Sequence, residues 1–186
     1  MDHQDHVHLL HGGIPQPGGV WADLGSGSGA FTLALAECLG AEGEIYSVDK
    51  NGGELQRQQQ AMHARFPAVI VHYLTADFTR PLPLPPLDGI VVANALHFLR
   101  HKDSTLQLIR GYLKPGGRLI IVEYNVDRGN LWVPHPFSYP TWESIARQNG
   151  FEHTELLATR PSRFLGEIYA ALSQATQPDD HSKEPA

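Results

Sequence analysis

The residues best suited to chemistry sit near the start of the chain. Asp23 and Leu24 end a short apolar run, and Gly25-Ser26-Gly27-Ser28-Gly29 follows at once. Glycines suit a backbone that takes positive φ or lies against a ligand. A helix opens directly after them, and the amides exposed at its first turn favour a negative group, whether phosphate or carboxylate. Asp49 ends the next strand-like segment, about 20 residues past the loop, where a carboxylate can accept from ribose hydroxyls. Together these residues suit a nucleoside ligand. The dinucleotide pattern is G-x-G-x-x-G/A, whereas this loop is spaced G-x-G-x-G with Ala30 in the third slot, so spacing alone leaves a dinucleotide or another nucleoside open.

The elements that must hold these residues alternate. Residues 20–24, 44–49, 68–74, the start of 87–96, 118–124, 151–158 and 164–172 read as strands. Between them, 30–40, 52–66 and 103–113 read as helices, the last capped by Asp103 or Ser104. Residues 141–150 read as a short helix capped by Thr141. Pro81-Leu82-Pro83-Leu84-Pro85-Pro86 can be neither central strand nor helix interior and must cross the surface. Lys114-Pro115-Gly116-Gly117 reads as a turn. Such alternation predicts an α/β fold, a doubly wound and mostly parallel sheet of seven strands with helices on both faces. The last two strands, with no helix between them, are expected to pair as an antiparallel edge hairpin. Residues 1–19 read as an arm or lid, 20–172 as the domain, and 173–186 as a disordered tail of almost no apolar content.

Composition bounds the function. The chain has 186 residues and a formal charge of −6, which argues against a broad grip on nucleic acid. The single cysteine, Cys38, excludes a disulfide framework and any multi-cysteine zinc site. No apolar run is long enough to span a bilayer, and the first residues are acids and histidines rather than a secretory leader, so a cytoplasmic protein is expected. The histidines of the arm (His3, His6, His8, His11) are irregularly spaced, and no metal is implied.

From Val20 to Glu123 the sequence resembles the class I S-adenosylmethionine-dependent methyltransferases. Ala22-Asp23-Leu24-Gly25-Ser26-Gly27-Ser28-Gly29 is similar to the family's first motif, and Ser47-Val48-Asp49-Lys50 to the strand that ends in its ribose-binding acid. Residues 74–79 (LTADFT) resemble the adenine-contacting segment, 87–99 (LDGIVVANALHFL) the fourth motif, and 113–123 (LKPGGRLIIVE) the entry to the fifth strand. The resemblance implies a Rossmann-like fold, S-adenosylmethionine as cofactor, and in-line methyl transfer to a small-molecule acceptor. It also implies roles for residues. Gly25, Ser26, Gly27 and Gly29 line the methionine part, and Asp23 holds its amino group. Asp49 takes the ribose, with Lys50 beside the adenine. Asp77 accepts from the adenine amine, Phe78 packs near the ring, and Asn94 and Ala95 lie beneath the sulfonium.

On the acceptor side the candidates follow the fourth and fifth strands. His97 could face the site as a catalytic group, or be a structural histidine at a helix start. Glu123 and Tyr124 end the fifth strand on the rim where ligands bind. The ring-rich stretch 123–142, with Trp132, His135, Phe137, Tyr139 and Trp142, could form a lid over an apolar or aromatic acceptor or a self-packed loop. Arg128 and Arg163 could pair with an anionic acceptor or be ordinary surface residues. Asn94-Ala95-Leu96-His97 departs from the Asn/Asp-Pro-Pro-aromatic quartet of adenine-N6 enzymes, which also favours a small molecule over nucleic acid. A cofactor-binding partner subunit without turnover, a protein or RNA methyltransferase, and a nicotinamide-dependent oxidoreductase are the alternatives. Oligomeric state and the methylated atom are open at this level.

Overall fold

The computed structural model describes residues 1–176. Its strands are β1 (Gly19–Leu24), β2 (Gly43–Asp49), β3 (Ile70–Thr75), β4 (Leu87–Ala93), β5 (Leu113–Tyr124), β6 (Phe151–Ser162) and β7 (Gly166–Ala175). They form one sheet in the order β3-β2-β1-β4-β5-β7-β6. The pairings from β3 through to β5 are parallel, and β7 runs antiparallel to both β5 and β6. The sequence order reverses beside β1, which pairs with both β2 and β4, so a crevice opens at the carboxyl ends of β1 and β4.

The helices are α1 (His3–His11), α2 (Ala30–Leu39), α3 (Gly52–Arg65), α4 (Asp103–Tyr112) and α5 (Tyr139–Gln148). Strand side chains alternate between the two helical layers. Val91, Ile120 and Val122 pack with Leu9, Leu10, Phe31, Leu35 and Met62 of α1, α2 and α3. Ile90, Val92, Leu119 and Ile121 pack on the opposite face with Leu106, Ile109, Trp142 and Ala146 of α4 and α5. The central strands therefore read as continuous apolar runs because both faces are covered. No helix among the described residues is long and apolar enough to cross a membrane.

Several local expectations change. Residues 3–11 form a docked helix rather than a free arm. Asp2 caps it by accepting from the Asp5 amide at 2.9 Å, Asp5 returns the bond to the Asp2 amide, and Leu9 and Leu10 are fully buried. Asp5 also pairs with Arg160 on β6 at 2.9 Å, so the helix is tied to the sheet. Of the histidines on α1, His3 reaches Glu37 and His6 packs edge-on against Phe31. The 114–117 turn lies within β5 as an irregularity, where the register with β4 jumps from Leu87↔Leu113 to Gly89↔Arg118. α5 begins at Tyr139 after Ser138, three residues earlier than a Thr141 cap would place it, because Pro140 suits a first helical turn. β7 extends to Ala175, past the residue where a tail is expected to begin. Residues 177–186 of that expected tail lie outside the described residues.

Candidate functional site

The glycine loop leaves β1 at Leu24, and the amides of Gly25 and Ser26 donate to the Val48 carbonyl of β2. Gly25 sits at φ +77°, and a Cβ there would meet the Ala95 Cβ at 2.8 Å and the Phe78 ring at 3.2 Å. A side chain at this point would close the crevice. Gly29 precedes α2 at φ +89°, and the space its Cβ would occupy is filled by the Gln58 side chain. Gln58 is buried, and its Oε1 accepts from the hydroxyls of Ser47 and Ser26. Gly29 is thus a packing requirement between loop and α3.

Asp49 organises the rim. Its Oδ2 accepts from the Gly27 amide and its Oδ1 from the Asn51 amide, both at 2.8 Å. Each oxygen keeps a further lone pair. Asp23 behaves differently. It is 1% exposed, and Thr32 Oγ1 donates to its Oδ2 at 2.5 Å. Burial pushes its carboxyl up to about 7; the Thr32 bond opposes the rise and the charge of Asp49 adds to it.

A cleft of about 500 Å³ opens over these strand ends, within the range usual for small-molecule sites. Gly25, Asp49, Lys50, Asp77, Phe78 and Phe98 are among its walls. The Asp77 carboxyl is held below its usual range chiefly by the Thr79 amide, with the Thr79 hydroxyl adding to it. Both bonds fall on Oδ1, at 2.9 and 2.8 Å.

Beside the cleft lies a buried acid–imidazole pair. His97, on the turn Leu96–Phe98 after β4, is 3% exposed, and Glu123 near the end of β5 is fully buried. His97 Nδ1 lies 2.7 Å from Glu123 Oε2, and the His97 amide donates to Oε1 at 3.2 Å. Nε2 makes no hydrogen bond among the described residues. The imidazole packs 4.3 Å from the Phe98 ring and 6.0 Å from that of Tyr124, centroid to centroid. Lys102 braces this corner. Its ammonium donates to the carbonyls of Leu99 and His135 and sits over the Phe137 ring at 4.8 Å. Burial holds Lys102 below its ordinary value, and Glu123 and Asp103 oppose that. Asn94 adopts φ +50°, uncommon for a residue with a side chain, and its buried Oδ1 has no partner.

The structure brings six of the expected cofactor-site residues to the cleft wall: Gly25, Asp49, Lys50, Asp77, Phe78 and Ala95. Ser26, Gly27, Gly29, Asp23 and Asn94 lie around the loop and strand ends without lining it. The ring-rich stretch, open to a lid or a self-packed loop, packs in part on the fold itself. Trp132 is 72% exposed at the tip of a turn held by Asn130, and Tyr139 packs edge-on against Tyr169. The His135 amide is bonded to the His97 carbonyl, and Phe137 and Trp142 are core residues. Glu123 sits inside the fold rather than on the rim. Phe98, Lys102 and Gln58 were not legible as site residues, because a phenylalanine, a lone lysine and one of several glutamines carry no spacing signal.

Comparison with known proteins agrees with this architecture. A family model described as a methyltransferase domain matches residues 16–159. Ubiquinone/menaquinone biosynthesis C-methyltransferases of Burkholderia mallei and Burkholderia thailandensis are each 30% identical over 128 residues, 68% of this chain and 50% of theirs. The chain therefore spans about half the length of these curated relatives. Among solved structures, the CurJ carbon methyltransferase superposes with a TM-score of 0.71 at 19% identity, over 88% of this chain and 50% of that one. The YcgJ protein of Bacillus subtilis gives 0.74 at 12% identity, over 94% and 100%. A phosphoethanolamine N-methyltransferase of Haemonchus contortus, in complex with S-adenosyl-L-methionine, gives 0.71 at 17%, over 94% and 52%.

Proposed function

Since the chain belongs to the class I S-adenosylmethionine-dependent methyltransferases, we propose that it methylates a carbon atom of a small-molecule acceptor. The residues at the cleft fit the cofactor on four counts. Gly25 leaves open a space that any side chain would close. Asp49 retains a lone pair on each oxygen for two ribose hydroxyls. Asp77 keeps Oδ2 clear of the Thr79 bonds for an adenine amine. Beside the cleft, Asn94 Oδ1 is a buried acceptor with no partner among the described residues. Lys50 and Phe78 flank the adenine in this reading, and Gly25, Ser26, Gly27 and Gly29 border the methionine part. Asp23, held by the Thr32 hydroxyl of α2, is assigned to the amino group. When bound, S-adenosylmethionine supplies a methyl carbon activated by positive sulfur, open to in-line displacement by a positioned nucleophile.

The observation that carries the carbon assignment is the His97–Glu123 pair, together with the C-methyltransferase relatives. A carbon nucleophile must shed a proton, whereas many nitrogen or sulfur acceptors need only be positioned. Glu123 on Nδ1 sets the imidazole tautomer that leaves a lone pair on Nε2. His97 Nε2 then takes the acceptor's proton, and Glu123 stabilises the resulting imidazolium. Tyr124 packs beside the imidazole and restricts where the acceptor can lie.

Titration calorimetry with S-adenosylhomocysteine tests the cofactor half. Binding is expected, and Asp49→Ala should weaken it by about tenfold or more, as loss of charge-assisted bonds to two hydroxyls implies. Absence of binding at millimolar ligand would overturn the reading.

A further inference from the structure

A chain of polar groups runs beneath the glycine loop. Ser26 lies between Gly25, a wall of the cleft, and Gly27, whose amide is bonded to Asp49. Its Oγ sits 2.7 Å from Ser47 Oγ of β2, and the hydroxyls of Ser26 and Ser47 reach Gln58 Oε1 of α3 at 3.4 and 3.0 Å respectively. Ser47 and Gln58 are fully buried, whereas Ser26 is partly exposed. Two hydroxyls carry two hydrogens, so the three contacts are not all made at once. The Ser26–Gln58 contact is the longest of them. When Ser47 donates to Gln58, the Ser26 hydrogen is free to turn to a ligand, and the Gln58 oxygen keeps a donor.

Packing alone does not explain Gln58. Its Nε2 is buried without a partner among the described residues. A side chain that only filled the space under Gly29 would be apolar, because a buried donor left unmet is destabilising. What the carboxamide adds is its oxygen, a common acceptor for the two serines. The first turn of α2 lies beside Ser26, since the Gly29 amide donates to the Ser26 carbonyl at 3.0 Å. That turn has a glycine N-cap, no side-chain cap and no acid. Its open amides and the helix dipole favour a carboxylate.

We propose that Ser47 is a specificity-determining positioning residue of the cofactor site. By donating to Gln58 it frees the Ser26 hydroxyl to bond the carboxylate at the amino-acid end of the S-adenosyl ligand. Ser47 and Gln58 do not touch the ligand; both act through Ser26. The assignment rests on the cofactor reading above and adds to it two residues, from β2 and α3, that lie outside the cleft wall.

The test titrates the full chain with S-adenosylhomocysteine and with methylthioadenosine, which keeps the nucleoside and the thioether but has no amino-acid end. Ser47→Ala should weaken S-adenosylhomocysteine by about tenfold, the worth of one charge-assisted hydrogen bond, because Ser26 must then serve Gln58 itself. Methylthioadenosine affinity should not change. Adding Gln58→Met removes the competing acceptor at similar bulk, so the double variant should recover most of the lost affinity. Ser26→Ala, at a partly exposed position that tolerates the change where a buried variant fails to fold, should show the same selective loss. In the Ser26→Ala background, Ser47→Ala should have no further effect. Equal weakening of both ligands by Ser47→Ala, no recovery in the double variant, or an unaffected Ser26→Ala overturns the assignment. If the unaltered chain binds methylthioadenosine and not S-adenosylhomocysteine, the carboxylate assignment falls alone; if it binds neither, the cofactor reading falls with it.

Discussion

Asp23 leaves water on folding and gains only one hydroxyl donor. Its raised value has a definite sign. Below about pH 4 the carboxyl is protonated in both folded and unfolded chains. From there to about 7 the unfolded chain gives up the proton and the folded chain keeps it, so stability falls as pH rises. The loss is complete above 7 and amounts to at most roughly 4 kcal/mol. Asp23→Asn removes it. In urea titrations the stability difference should shift toward the variant between about pH 4 and about pH 8. A difference that does not vary with pH would show that Asp23 titrates normally. At this scale the sequence was most informative where family motifs fix residue type at a set offset, as at Gly25, Asp49 and Asp77, all of which line the cleft. It was silent on Gln58 and misplaced Glu123. Glu123 lies 26 residues from its partner His97, and only the parallel pairing of β4 and β5 brings them together.

Among the elements, α1 departs furthest from its sequence appearance. Four histidines obscure its amphipathic pattern, and its capping box uses Asp5 where glutamate or glutamine is usual. Its anchoring comes from contacts no local pattern reveals: Leu9 and Leu10 against α2 and the sheet, and Asp5 on Arg160. Leu10→Ala should cost about 2–5 kcal/mol in chemical denaturation, as expected for a fully buried leucine. A change below about 0.5 kcal/mol, the range of surface substitutions, would mean that the helix is detached in solution. The parallel core was legible because doubly covered strands read as apolar runs. The aromatic stretch after β5 was not, because rings signal burial without saying whether the neighbour is a ligand or the core. Phe137 and Trp142 joined the core, and Trp132 stayed at the loop tip.

At the scale of the whole molecule, the cleft joins the ends of β1, β2, β3 and β4 through Gly25, Asp49, Ala76 and Ala95, so a ligand seated there ties together segments far apart in the chain. S-adenosylhomocysteine at about a hundredfold excess over Kd should add about 2.7 kcal/mol of stability. For a domain of this size that raises Tm by about 5–10 °C, measurable by differential scanning calorimetry. No rise at that excess would separate the cleft from the folding unit. The sheet order has a further consequence, for synthesis. β6 leaves the ribosome before β7, yet among the described residues its sheet neighbour is β7, which must enter between β5 and β6. Until β7 is available, the edge of β5 is open and β6 has no partner, exposing strand edges of the kind that promote aggregation. The β6–β7 connection is therefore completed late, after the cleft at the ends of β1 to β4 can already have formed.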